Sequence, residues 1–245
     1  EKVGTGNGDE VDIALDPLEG TTITSKGMPN SLAVIAAAKK GCLLHSPDTY
    51  MNKIAIGKGY SNDVIDLDAS VQDNIKSLAD AKKVKPSDIS ACVLERDRHS
   101  EIIESLRVIG SKVILIPDGD VAGVMMTSQE EIDVDVYFGT GGAPEGVLAA
   151  AALQCIGGQM QTRLVIRNDD EKKRAEKAGI KDLDKKYYID DLASGDIVFV
   201  ATGVTEGTLV KGVKKYSHSV TTHSIVLRSD FNTTQYIQTY HPQSI

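Results

Sequence analysis

The apolar positions of this chain come in short runs, mostly of about four to eight residues, separated by turn residues and charged stretches. That spacing predicts strands and helices in alternation. Residues 11–16 alternate apolar and acidic side chains and break at Pro17, predicting a strand that delivers carboxylates to its end, where proline stops the ladder. Residues 32–38 and 42–44 predict two strands around the Lys39-Lys40-Gly41 turn, and 51–56 a third. Further strands are predicted at 91–94, at 112–116 before Pro117, at 134–138, at 197–201, where the unbroken apolar run reads as buried on both faces, and at 220–227. Residues 99–109 predict a helix with Ile102, Ile103 and Leu106 inward. A second helix opens at Pro144, where proline is best tolerated, and runs through Leu153. Residues 168–177 predict a charged helix with a solvated face, Ser87 a turn or cap, and the polar tail from His241 a frayed end. The reading is a layered α/β fold, with one seam at 82–86 dividing residues 1–85 from 86–245.

Composition narrows the function. Trp is absent, so the core must pack mainly through aliphatic side chains. No apolar stretch reaches the roughly 18 residues of a membrane helix, and the first residues show no signal-peptide pattern, which predicts a cytoplasmic protein with no membrane partner. Cys42, Cys92 and Cys155 are scattered, odd in number and flanked by aliphatic residues, predicting buried free thiols. A formal net charge of −8 argues against a nucleic-acid partner, which demands a basic face. An acidic protein can still bind phosphates through local Arg, backbone donors or recruited divalent cations. Gly4-Thr5-Gly6-Asn7-Gly8 lacks a preceding strand and the Lys-Ser/Thr ending of a P-loop, and the five histidines are too scattered for a zinc site.

The richest chemistry lies in Asp12-Ile13-Ala14-Leu15-Asp16-Pro17-Leu18-Glu19-Gly20-Thr21-Thr22. Asp16 and Glu19 sit three residues apart across a turn that Gly20 allows to be tight, and the Leu18 carbonyl is a third oxygen between them. Hard ions such as Mg²⁺ or Mn²⁺ favour such oxygen sets and keep positions open for water and phosphate. The same residues also suit a plain acidic surface turn.

The ordered string resembles the Asp-Pro-x-Asp/Glu-Gly-Thr/Ser signature of the lithium-sensitive and fructose-bisphosphatase superfamily. The resemblance extends through Gly41-Cys42-Leu43-Leu44, Ser46-Pro47-Asp48-Thr49-Tyr50-Met51, Pro117-Asp118-Gly119-Asp120, Gly141-Gly142-Ala143-Pro144-Glu145-Gly146, Arg167-Asn168-Asp169-Asp170-Glu171 and Ala201-Thr202-Gly203-Val204-Thr205. In this order the motifs resemble the class II (GlpX-type) fructose-1,6-bisphosphatases over essentially the whole chain.

That resemblance implies a layered α-β-α-β-α architecture with mixed sheets, residues 1–85 forming a metal-binding part and 86–245 a substrate-binding part. It implies metal ligation by Asp16, Glu19 and Glu145, and a water-orienting role for Thr21, with Asp16, Glu19 and Thr21 as the catalytic group. Gly20, Thr21, Tyr50, Arg96, Arg98, Asp118, Gly119, Asp120 and Gly142 match substrate-binding positions. Asp97 departs from the family pattern, which has proline between two basic residues. Further acidic ligands of the family precede its Glu-Lys-Val-Gly-Thr-Gly stretch, so an N-terminal portion of the natural protein is expected to be missing from this chain. The implied reaction is hydrolysis of fructose 1,6-bisphosphate to fructose 6-phosphate with Mn²⁺ or Mg²⁺, in a homodimer or homotetramer. A sedoheptulose-1,7-bisphosphatase or bifunctional enzyme, and an inactive sugar-phosphate sensor, remain as alternatives.

Overall fold

In the computed structural model, which describes residues 2–242, the strands form two six-stranded sheets. With elements numbered in chain order, the first sheet is antiparallel. It runs β1 (Val11–Glu19), β2 (Leu32–Lys39), β9 (Ile197–Gly203) and β11 (Ser219–Arg228), with the short β10 (Lys214–Lys215) and the long β12 (Thr233–Pro242) both paired to β11. The second sheet is mixed, in the order β5 (Lys112–Ile116), β4 (Ser90–Leu94), β6 (Val136–Gly142), β3 (Tyr50–Ile56), β7 (Gln159–Val165) and β8 (Tyr187–Tyr188). Here β4 is parallel to β5 and β6, and the other pairs are antiparallel. The α/β architecture read from the sequence is the one observed. Residues before position 85 enter both sheets, through β1 and β2 in the first and β3 in the second.

The helix α5 (Ala143–Ile156) lies between the sheets and touches strands of each. Its Ala149-Leu153 run is buried all round, as a helix enclosed by two apolar faces must be. Pro144 sits in its first turn, and Gly157, at φ 80°, closes it. The helix α4 (Asp120–Met126) packs on α5, and α7 (Ile189–Leu192) joins this middle layer. On the far side of the second sheet, α2 (Val71–Lys82) and α3 (Ser100–Val108) cover a separate apolar cluster around Ile54, Ile75, Val93 and Phe138. The remaining helices are the short α1 (Thr21–Ser25) and the charged α6 (Asp169–Lys177), which Asn168 caps by accepting from the Glu171 N–H. The layers are therefore β-α-β-α. Val11, Ile13, Leu15, Ile35 and Val198 lie exposed on the first sheet's outer face, which no helix of the described residues covers.

Several expectations are corrected. Pro17 does not end β1. Pairing skips from Asp16–Val34 to Glu19–Leu32, so proline, which has no N–H to give, is absorbed in a bulge. Residues 42–44 form no strand and make only an isolated bridge from Leu43 to Ala193. The run at 197–201 is buried on one face alone, with Val198 turned out, because β9 belongs to the sheet whose outer face is open. His241 lies within β12, where its ring pairs with the Thr222 hydroxyl at 2.9 Å; the rest of the supposed frayed tail, 243–245, lies outside the described residues. Cys92 and Cys155 are buried free thiols, and Cys42 is free but half-buried.

Candidate active site

The parallel strands β4, β5 and β6 all end on the same side of the second sheet. The loops leaving them face the end of β1 across a cleft of about 380 Å³. Polar groups that strands deliver at their carboxyl ends can converge there without breaking the ladders.

From the first sheet come Asp16, Glu19, Gly20 and Thr21. Residues three apart in a regular strand point to opposite faces. The bulge sets three residues of β1 against two of β2, so Asp16 and Glu19 lie opposite Val34 and Leu32, both on the buried face. The Leu18 N–H donates to Asp16 Oδ1 at 3.0 Å, which fixes the turn. Gly20 takes φ 83° to begin α1, and a Cβ there would also strike Ile23. Thr21 follows as the first helical residue, its side chain exposed.

From the second sheet come Tyr50 at the start of β3, Arg96 and Arg98 beyond β4, Asp118, Gly119 and Asp120 beyond β5, Gly142 at the end of β6, and Glu145 in the first turn of α5. Every site residue read from the sequence thus lines one cleft. Leu18, Asp48, Thr49, Leu94, Gly141 and Pro144 complete its lining.

The carboxylates are held unusually. Glu19 is buried; its Oε1 accepts the Val121 N–H, and its Oε2 has no partner. Burial pushes its acid up to about 8, opposed by the Val121 N–H and reinforced by the charges of Asp120 and Asp16. Glu145 Oε2 is likewise buried and unpartnered. Burial raises Glu145 too, opposed by its own backbone N–H and by Lys53, while Asp120 and Asp16 add to the rise. Asp16 therefore acts on both glutamates, which places all three acids in one electrostatic neighbourhood.

The cationic side of the site is built around Tyr50, whose ring lies 5.1 Å from the Arg98 guanidinium and 4.2 Å from that of Arg167. Arg98 donates through Nε to the Thr140 carbonyl at 2.8 Å, and Arg167 is fixed by an ion pair with buried Glu171. Arg96 donates to the Pro117 carbonyl and pairs with Asp118 at 3.4 Å, tying two cleft loops together.

Sequence reasoning missed three residues of this construction, Lys53, Tyr137 and His99, and the contact of Arg167 with Tyr50. Lys53 forms a fully buried ion pair with Asp120, and the Tyr137 hydroxyl donates to the other Asp120 oxygen at 2.9 Å. The signal for Lys53 was a lone cation in the apolar run 51–56. His99 is buried; its Nδ1 meets the Leu94 carbonyl and its Nε2 accepts the Thr140 N–H, each at 2.8 Å. Burial lowers its pKa, consistent with a neutral Nδ1–H ring that splints the arginine loop to β6.

A family model described as bacterial fructose-1,6-bisphosphatase, glpX-encoded, matches residues 1–241. The chain belongs to that family. It is also 39% identical to the fructose-1,6-bisphosphatase 1 class 2 of Escherichia coli strain K12, over 98% of this chain and 75% of the relative. The fructose-1,6-bisphosphatase class 2 proteins of Escherichia coli O6:H1 and Shigella flexneri match with the same identity and coverage.

The family implies a divalent cation. Among the described residues no three acidic, histidine or cysteine side chains converge into a finished metal site. Two buried carboxylate oxygens without partners, on Glu19 and Glu145, nevertheless fit a cation, since an uncompensated buried acid is otherwise costly. A bound divalent cation would satisfy both oxygens.

Proposed function

We propose that this cleft is where the family's reaction takes place, with its residues in the following roles. The reaction is hydrolysis of fructose 1,6-bisphosphate to fructose 6-phosphate and phosphate, a phosphoric monoester hydrolysis. Asp16, Glu19 and Glu145 hold the divalent cation, which, when bound, supplies charge neutralisation at the phosphoryl oxygens and a more acidic water. Thr21, exposed at the cleft and next to Gly20, orients the attacking water through its hydroxyl and offers a backbone N–H to the phosphoryl group. Attack forms a new P–O bond as the bond to the sugar oxygen breaks, and that oxygen takes up a proton.

The remaining groups hold the rest of the substrate. Arg98 and Arg96 present guanidinium groups, which suit phosphate geometry. Tyr50 lies beneath Arg98 as a flat wall, and Asp118 and Asp120 accept hydrogen bonds from sugar hydroxyls. Gly119 and Gly142 leave the backbone open to close approach, and α5 turns its N-terminus towards the anion. One observation carries this reading: residues from strand ends more than 100 positions apart meet in a single cleft containing two orphaned carboxylate oxygens.

Mn²⁺ or Mg²⁺ as the cation, cytoplasmic location and a homodimer or homotetramer belong to the same proposal, supported by the family resemblance. No observation favours the sedoheptulose or sensor readings. Phosphate release should be fastest from fructose 1,6-bisphosphate, slower from sedoheptulose 1,7-bisphosphate, and abolished by chelator. Release that persists in chelator, or a preference for inositol phosphate, overturns the assignment. Thr21→Ala should lower kcat far more than it raises KM, and Arg98→Ala should do the reverse. Equal effects of the two changes would refute the separate roles.

A further inference from the structure

Lys53 has no place in the roles just given, yet it lies at the middle of the site. It occupies the centre of β3, opposite Gly139 on β6 and Thr162 on β7. Its side chain is wholly shut off from water, and its only hydrogen-bond partner among the described residues is Asp120. The surroundings are shaped to this pair. A Cβ on Gly141 would collide with the Asp120 carboxylate, and one on Gly146 would strike Met51 and crowd the Lys53 stem. Tyr137, also buried, completes the clamp by donating to the second Asp120 oxygen. A glycine, a phenol and an ammonium thus converge on one carboxylate, and a second glycine leaves room for the ammonium's stem. An isolated buried ion pair is a poor source of stability, because desolvation of both charges offsets their attraction.

We propose that Lys53 is a positioning residue for substrate binding. It holds Asp120 in one orientation, through the ion pair at one oxygen while Tyr137 holds the other, so that the carboxylate's remaining lone pairs face the sugar. The proposal rests on the reading of Asp120 as an acceptor for a sugar hydroxyl. Lys53 does not line the cleft and touches no substrate; it acts on the sugar through Asp120.

A double-mutant cycle on the metal-loaded protein tests this, with KM and kcat for fructose 1,6-bisphosphate read separately. Asp120→Asn should raise KM about tenfold or more, the scale of a lost hydrogen bond to a charged group. Lys53→Met should raise KM by a similar factor and change kcat less than about twofold. In the doubly neutral Lys53→Met/Asp120→Asn protein, KM should be no higher than in Asp120→Asn alone. If Asp120→Asn leaves KM unchanged, the reading of Asp120 fails and the proposal falls with it. If Asp120→Asn raises KM while Lys53→Met leaves it untouched, or lowers kcat at constant KM, the Lys53 proposal alone is overturned. Should Lys53→Met fail to fold because it strands a buried carboxylate, the doubly neutral protein decides. A further rise in KM over Asp120→Asn shows that Lys53 acts by another route.

Discussion

Glu19 is held with one oxygen bonded to the backbone, the other without a partner among the described residues, and two further acids nearby. Its folded pKa, near 8, lies above the value an exposed carboxylate would have in the unfolded chain. Stability from the neutral acid is therefore complete at low pH and is lost as pH rises through about 8. In chelator, the melting temperature should fall between about pH 5 and about pH 9, and Glu19→Gln should flatten that fall. The same variant should lose the stabilisation that a divalent cation gives the wild type; a Glu19→Gln protein as pH-sensitive as wild type would contradict this account. At this scale the sequence is most legible where chemistry is local. Asp16, Glu19, Thr21 and Glu145 stand out as motif residues. Lys53 and His99 do not, because their partners, Asp120 and Thr140, lie 67 and 41 positions away.

At the scale of elements, the loops around the cleft are tuned by what they omit. A Cβ at Gly142 would overlap the Glu145 carboxylate, so Gly142→Ala should displace that acid. Cation affinity should drop about tenfold, the range seen when ligand-orienting contacts are lost, and a metal titration by calorimetry measures it. His99 joins the end of β4 to β6, and His99→Leu strands a buried N–H and a carbonyl. Denaturant unfolding should show a loss of about 1–3 kcal/mol, with KM raised because Arg98 bonds to the same Thr140. Period and turn chemistry made most strands readable. Elements escaped where the cue was faint: α2 carried its Ser70 cap, which accepts from the Asp73 N–H, but its residues were assigned no element. The strand β12 has no buried face and so no apolar alternation to see. Position 17 misled because a proline that ends most ladders is here taken up in a bulge.

Across the whole molecule, the two sheets meet through α5 and again at the cleft. The acids come from both: Asp16 and Glu19 from the first sheet, Glu145 and Asp120 from helices that open at strand ends of the second. A cation held between them is a crosslink, so binding and global stability are linked. At a hundredfold excess over its Kd a divalent ion should add about 2.7 kcal/mol to unfolding. Thermal unfolding with and without the ion checks this, and a shift confined to a local transition would show that the cation does not join the sheets. The alternation of elements disclosed the α/β class, whereas the partition of strands between two sheets was not legible. Neighbours such as β2 and β9 are separated by more than 150 positions, and nothing local declares them partners.

The bulge at Pro17 and Leu18 makes the geometry of the acidic cleft a matter of parity. Alternation along a strand has only two phases, and one supernumerary residue exchanges them. If the ladder ran straight through Pro17 and Leu18 with no residue skipped, every acid in the sequence would be untouched, yet Glu19 would turn towards the opposite side of its sheet. The protein would keep its composition and most of its core, and lose the site through an error in counting.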